Sequence, residues 1–124
     1  MPKIQHIAIH AHDTDALAAF YINTFGRAEV SRLPAQDGRW RHFLSDGQMN
    51  LAILPGRLDR PEGINHFGFQ VDDVDKASET AVKGGAKVNA ERVPQDGRGN
   101  EAFFMDPIGQ RVDLSAKGWP LTHD

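Results

Sequence analysis

Ile64-Asn65-His66-Phe67-Gly68-Phe69-Gln70-Val71 reads as a β-strand with a histidine set into one face. Its branched and aromatic side chains favour a pleated, half-buried surface. Sixty residues before His66 stands a near copy, Ile4-Gln5-His6-Ile7-Ala8-Ile9-His10. In each stretch the histidine follows an amide side chain and opens an apolar alternation. In the earlier copy, period-two alternation sends Ile7 and Ile9 to one face and Ile4, His6, Ala8 and His10 to the other. Two strands with the same oddity at the same phase imply a chain built twice, with a site where its halves meet.

The segments that follow each strand repeat the same programme. After the first, Asp13-Thr14-Asp15 offers N-cap side chains. Leu17, Phe20, Tyr21 and Phe25 then recur at helical spacing over Ala16 to Phe25, and Gly26 closes the helix. Strands follow at Ala28 to Leu33, Arg39 to Leu44 and Met49 to Leu54, with Asp46-Gly47 as a hairpin signal. Residues 55–63, rich in Pro, Gly and charge, read as a linker. After the second copy, Asp72, Asp73 and Asp75 are helix-capping acids rather than a calcium cluster. A helix over Lys76 to Lys83 ends at Gly84-Gly85. Strands are predicted at Lys87 to Val93, Glu101 to Met105 and Gln110 to Ser115, with a Gly-rich loop over Pro94 to Asn100. The order βαβββ, linker, βαβββ predicts an α+β fold in a single domain, 1–124. Module one covers about 3–54 and module two about 64–115, their sheets curling around a cleft; a tail with Trp119 covers 116–124.

Composition narrows the function. The 124 residues carry a net charge of −3. With no basic run, this argues against a nucleic-acid or membrane surface as partner. No apolar stretch reaches the length of a membrane span, and the N-terminus lacks a signal-peptide core, so a cytoplasmic location is expected. There is no cysteine. Any metal must therefore be held by His, carboxylate or water.

The six histidines and one misplaced acid supply the chemistry. Arg111-Val112-Asp113-Leu114-Ser115 puts Asp113 in an otherwise apolar last strand, where a lone carboxylate is costly unless something positive meets it. His6 and His66 occupy equivalent points on the two first strands. Two imidazoles and one carboxylate make a facial metal site with open positions, suited to Fe(II), Mn(II), Ni(II) or Zn(II). Asn50, read as the counterpart of Asp113 in module one, is a poor ligand and suits a substrate contact. His10, on the same face as His6, is a candidate acid–base group. His42 and Phe103 are candidate substrate contacts, and Trp40 and Met105 candidate cleft wall. His12 and His123 read as surface residues. Arg39, Arg41, Arg98 and Arg111 near the rim lean toward an anionic substrate, and Arg98 with Glu101 flanks a candidate lid.

Taken together, Ile4-Gln5-His6-Ile7-Ala8-Ile9, Phe20-Tyr21 through Phe25-Gly26, Asn65-His66-Phe67-Gly68-Phe69-Gln70-Val71-Asp72-Asp73 and Asp106-Pro107-Ile108-Gly109-Gln110-Arg111-Val112-Asp113-Leu114 resemble the vicinal oxygen chelate superfamily. That superfamily includes glyoxalase I, extradiol dioxygenases, fosfomycin-resistance enzymes and bleomycin-binding proteins. The resemblance spans roughly residues 3 to 115. It implies that His6, His66 and Asp113 are metal ligands, with Fe2+ favoured and Mn2+, Ni2+ or Zn2+ as alternatives. It puts Asn50 where glyoxalase I has a fourth ligand, a glutamate, and Asp113 where glutamate is commoner. The three-ligand set resembles the dioxygenases and the fosfomycin enzymes. The expected function is thus a metal-dependent enzyme acting on a small substrate with vicinal oxygens, dioxygenase-like in the first instance. The alternatives are a glyoxalase-like lyase or isomerase and a non-catalytic antibiotic- or metabolite-binding protein. The resemblance also implies a homodimer.

Overall fold

The computed structural model describes residues 2–26, 28–93 and 101–121. It contains β1 (Lys3–Ala11), α1 (Thr14–Phe25), β2 (Ala28–Pro34), β3 (Trp40–Ser45), β4 (Asn50–Pro55), β5 (Gly63–Gln70), α2 (Val74–Lys83), β6 (Val88–Arg92), β7 (Ala102–Met105) and β8 (Arg111–Ser115). This is the βαβββ order twice over, an α+β fold. Contacts divide the chain into two compact units, residues 6–65 with 120–124 and residues 66–119 with 1–5. The predicted loop over Pro94 to Asn100, with Arg98, and His123 in the tail lie outside the described residues.

In the unit of residues 6–65, the strands run β2-β3-β4-β1. β2–β3 and β3–β4 are antiparallel, and β4 returns parallel to β1. A parallel pair needs a long crossover, and α1, β2 and β3 supply it. Asp13 caps α1 by accepting from Ala16 N at 3.0 Å, and the helix starts two residues earlier than the apolar spacing alone indicates. Gly26 ends the helix at φ 68°, a left-handed conformation that favours glycine. The helix covers one sheet face: Ala11, Ala18, Leu44 and Ile53 form a buried cluster flanked by Leu17, Tyr21, Ile22 and Leu51. By alternation His6, Ala8, Asn50, Ala52 and Phe43 point to the other face. The linker is tied down: Gly56 N donates to Ala11 O, and His12 N donates to Glu62 Oε1.

In the unit of residues 66–119 the order is β5-β8-β7-β6. β5 and β8 are parallel, and β7 is antiparallel to both β8 and β6. Asp73 caps α2 by accepting from Lys76 N, which bears out the capping reading of that acidic run. Val71, Val74, Ala102 and Leu114 are buried beneath α2, with Phe69, Ala77 and Phe104 packed against them. Alternation then leaves His66, Gly68, Arg111, Asp113, Phe103 and Met105 on the face away from α2. The tail packs back onto the start of β1: Gln5 Nε2 donates to Trp119 O and Trp119 N donates to Gln5 Oε1, both at 2.7 Å. Gly118 sits at φ 76°, where a Cβ would come within 3.1 Å of the Gln70 side chain.

Candidate functional site

The two ladders place the candidate ligands. In β5–β8, His66 pairs with Arg111 and Gly68 with Asp113. A residue with no side chain opposite Asp113 leaves room for its carboxylate to lean toward His66. The His66 Nε2 atom lies 3.1 Å from Asp113 Oδ2. Asp113 Oδ1 accepts from Arg111 Nε at 2.9 Å. The Arg111 guanidinium in turn stacks on Phe103, with its carbon 4.4 Å from the ring centroid. One face therefore carries the chain Phe103–Arg111–Asp113–His66. Its two inner members are almost wholly shielded from solvent, at 3% exposure for His66 and 1% for Asp113.

This pair fits a metal. Two donor atoms bound at about 2.1 Å and at right angles on one ion stand about 3.0 Å apart, close to the separation seen here. An imidazole and a carboxylate are donors that mid-first-row divalent ions accept.

In β1–β4, His6 pairs with Asn50 and Ala8 with Ala52. His6 is 2% exposed and points away from α1. Aligning the two ladders on their histidines sets Asn50 against Arg111 and Ala52 against Asp113. The sequence reading of Asn50 as the counterpart of Asp113 is thereby corrected by one pleat. Alternation fixes which face a strand residue occupies but not how far along the strand it lies. The position equivalent to Asp113 is held by an alanine, which has no donor atom. Asn50 is itself buried and donates through Nδ2 to Pro120 O at 2.6 Å. Its Oδ1 has no hydrogen-bond partner among the described residues.

The remaining candidates separate. Phe103 and Met105 share the face of His66 and Asp113. His42 does not border a cleft. It is buried beneath α1, with Nδ1 against Glu29 Oε2 at 2.5 Å and Nε2 against Asp15 Oδ1 at 2.7 Å. It fastens the first turn of α1 to β2 and β3. Trp40 lies two residues from His42 on the same strand, so alternation puts it on that helix-covered side too, its ring under the Arg32 guanidinium at 4.5 Å. His10 stands four strand residues from His6, about 13 Å along an extended chain. Arg39 is engaged with Asp37, whose carboxyl it holds below the ordinary range. Glu101 is a structural acid. Burial pushes its carboxyl up, but hydrogen bonds from Ala116 N, Lys117 N and Ser115 Oγ, and the charge of Arg92, outweigh burial and leave it below its ordinary value. A depression of about 620 Å³ beside α1 is lined by Ile9, Leu17, Phe20 and Tyr21. Arg111 is the residue the pattern undervalued. Its signal was its place two residues before Asp113, on the same strand face.

Fold, repeat and buried His/Asp pair define a class of small α+β protein built from two βαβββ units. The chain belongs to the Glyoxalase/Bleomycin resistance protein/Dioxygenase superfamily, whose profile matches residues 3–114. Members of this superfamily bind small-molecule substrates and typically use divalent metals. The uncharacterized protein YaeR of Escherichia coli K12 is 33% identical, covering 92% of this chain and 95% of its own. The uncharacterized protein PA2024 of Pseudomonas aeruginosa is 30% identical, covering 97% and 91%. Among solved structures, a methylmalonyl-CoA epimerase of Streptomyces coelicolor in complex with 2-nitronate-propionyl-CoA superposes with a TM-score of 0.70 at 24% identity, covering 95% of this chain and 97% of the other. The 2,3-dioxygenase LapB of Pseudomonas sp. KL28 superposes with a TM-score of 0.72 at 19% identity, covering 98% of this chain and 42% of the other. At these identities the likeness is one of fold. No helix among the described residues is long and apolar enough to cross a membrane.

Proposed function

We propose that the protein is a divalent-metal enzyme acting on a small substrate with two neighbouring oxygens, with His6, His66 and Asp113 as the ligands and Fe2+ as the favoured ion. The observation that carries this reading is the buried pair of His66 Nε2 and Asp113 Oδ2 at 3.1 Å. Burial of His6 on the helix-free face of β1, at the repeat-equivalent of His66, supports it as the third ligand. Alanine at position 52 supports three protein ligands rather than four, the pattern associated with non-haem iron oxygenases. An ion so held supplies Lewis-acid character and, as Fe(II), redox chemistry to a chelating substrate. The chain's own part is to orient and exclude. Arg111 fixes the carboxylate of Asp113 through Oδ1, and Phe103 and Met105 give the same face an apolar wall. Oxidative cleavage of a catechol-like compound is the favoured reaction. Glyoxalase-type isomerisation is disfavoured because no second carboxylate stands at the equivalent position. His10, on the face of β1 that carries His6, is the candidate acid–base group for a substrate that extends along that strand.

The test is elemental analysis of protein purified without chelator, together with oxygen uptake on a panel of catechols. Near one equivalent of a transition metal, lost in His66→Ala, is expected. Less than about a tenth of an equivalent after reconstitution overturns the reading, given the affinity expected of such ligands.

A further inference from the structure

Arg111 is held in an unusual way for a strand arginine. Its Nε is committed to Asp113 Oδ1 at 2.9 Å. Its guanidinium plane lies on Phe103 at 4.4 Å. Both contacts restrict the rotation of a side chain that is otherwise long and flexible. The two terminal nitrogens, Nη1 and Nη2, have no hydrogen-bond or ion-pair partner among the described residues. The side chain is 32% exposed, so solvent and a small solute can reach it. A stacked guanidinium anchored through Nε leaves a fork of N–H donors already oriented, and such a fork matches a planar carboxylate.

We propose that Arg111 is a substrate-recognition residue and that the substrate carries a carboxylate beside its two neighbouring oxygens. The proposal rests on the metal reading above for what stands next to the carboxylate, but not for the anion site itself. A carboxylate is favoured over a phosphate because Arg111 is the one Lys or Arg on β5, β7 and β8. The two terminal nitrogens match the two oxygens of a carboxylate, whereas a phosphate dianion calls for more positive charge than a guanidinium already paired with Asp113 supplies. Asp113 engages the guanidinium from the Nε side, which leaves the Nη side open to a ligand. Anchoring in advance also removes most of the ordering cost that a free arginine would meet on binding.

The experiment compares two probe pairs by titration. On metal-loaded protein, 3,4-dihydroxybenzoate is compared with catechol; on chelator-treated protein, benzoate is compared with benzyl alcohol, followed by the Arg111 side-chain NMR resonances. The wild type should bind each carboxylate about tenfold or more tighter than its neutral partner. Arg111→Gln should remove both preferences, and Arg111→Lys should keep part of them. Equal affinity within the pairs, or a preference that survives Arg111→Gln, overturns the proposal. The metal-free arm separates the two readings: a protein that takes up no metal still shows or lacks the benzoate preference. Should Arg111→Gln fail to fold, the wild-type resonances decide, since benzoate that leaves them unmoved refutes the site.

Discussion

At the scale of single residues, the site turns on which atoms are buried and what lies opposite them. Asp113 is buried between an imidazole and a guanidinium, with Gly68 across the ladder to make room. Asp113→Asn keeps the shape and removes the charge. Metal affinity should fall about a hundredfold or more, measured by competition with a chromogenic chelator, while circular dichroism stays that of the wild type. An unchanged affinity would remove Asp113 from the ligand set. These residues were legible in the sequence because their types were out of place: two histidines at one phase and an acid in an apolar strand. Ala52 was not legible. Its meaning is the absence of a donor at one register position, and register depends on how β4 slides against β1, which composition and alternation leave free. His42 misled for a related reason. Its face was inferred from the expected cleft, whereas α1 and its first-turn acid Asp15 occupy that side.

At the scale of elements, caps and turns decide where each piece stops. Both helices begin at the aspartates the sequence offers, Asp13 and Asp73, and strand bounds fall within a residue or two of those expected. Local chemistry sets those ends, so they can be read locally. The C-terminal turn is set by a distant partner and could not be read that way. Glu101 accepts from Ala116 N, Lys117 N and Ser115 Oγ just after β8. Its folded carboxyl lies below the ordinary 4.5, so it binds its proton less readily folded than unfolded. Its contribution is therefore complete above about pH 4.5 and is lost as pH falls through the depressed folded value. In a Trp40→Phe background, which leaves Trp119 as the single tryptophan, acidification should release the tail before global unfolding. Glu101→Gln should flatten that acid limb; an identical limb in both proteins would assign it to another group.

At the scale of the whole molecule, the repeat is the feature the sequence displayed most openly, because each half carries its own strand, helix and three-strand sequence of signals. A metal bound by the folded chain and not by the unfolded one adds stability by mass action. At a hundredfold excess of ion over its dissociation constant the gain is about 2.7 kcal/mol. The urea midpoint should rise accordingly in the wild type and stay fixed in both His6→Ala and Asp113→Asn; a rise that persists in His6→Ala would leave that histidine outside the site. Less open to sequence reading was the division of the chain, which assigns residues 1–5 to the unit of residues 66–119. The two hydrogen bonds between Gln5 and Trp119 span 114 positions. A ribosome adding about 5–20 residues per second takes about 6 to 23 s to cover that interval. For that time Gln5 of the nascent chain has no Trp119 backbone to meet. At this strand the earliest residues to be made are thus among the last to find their partner.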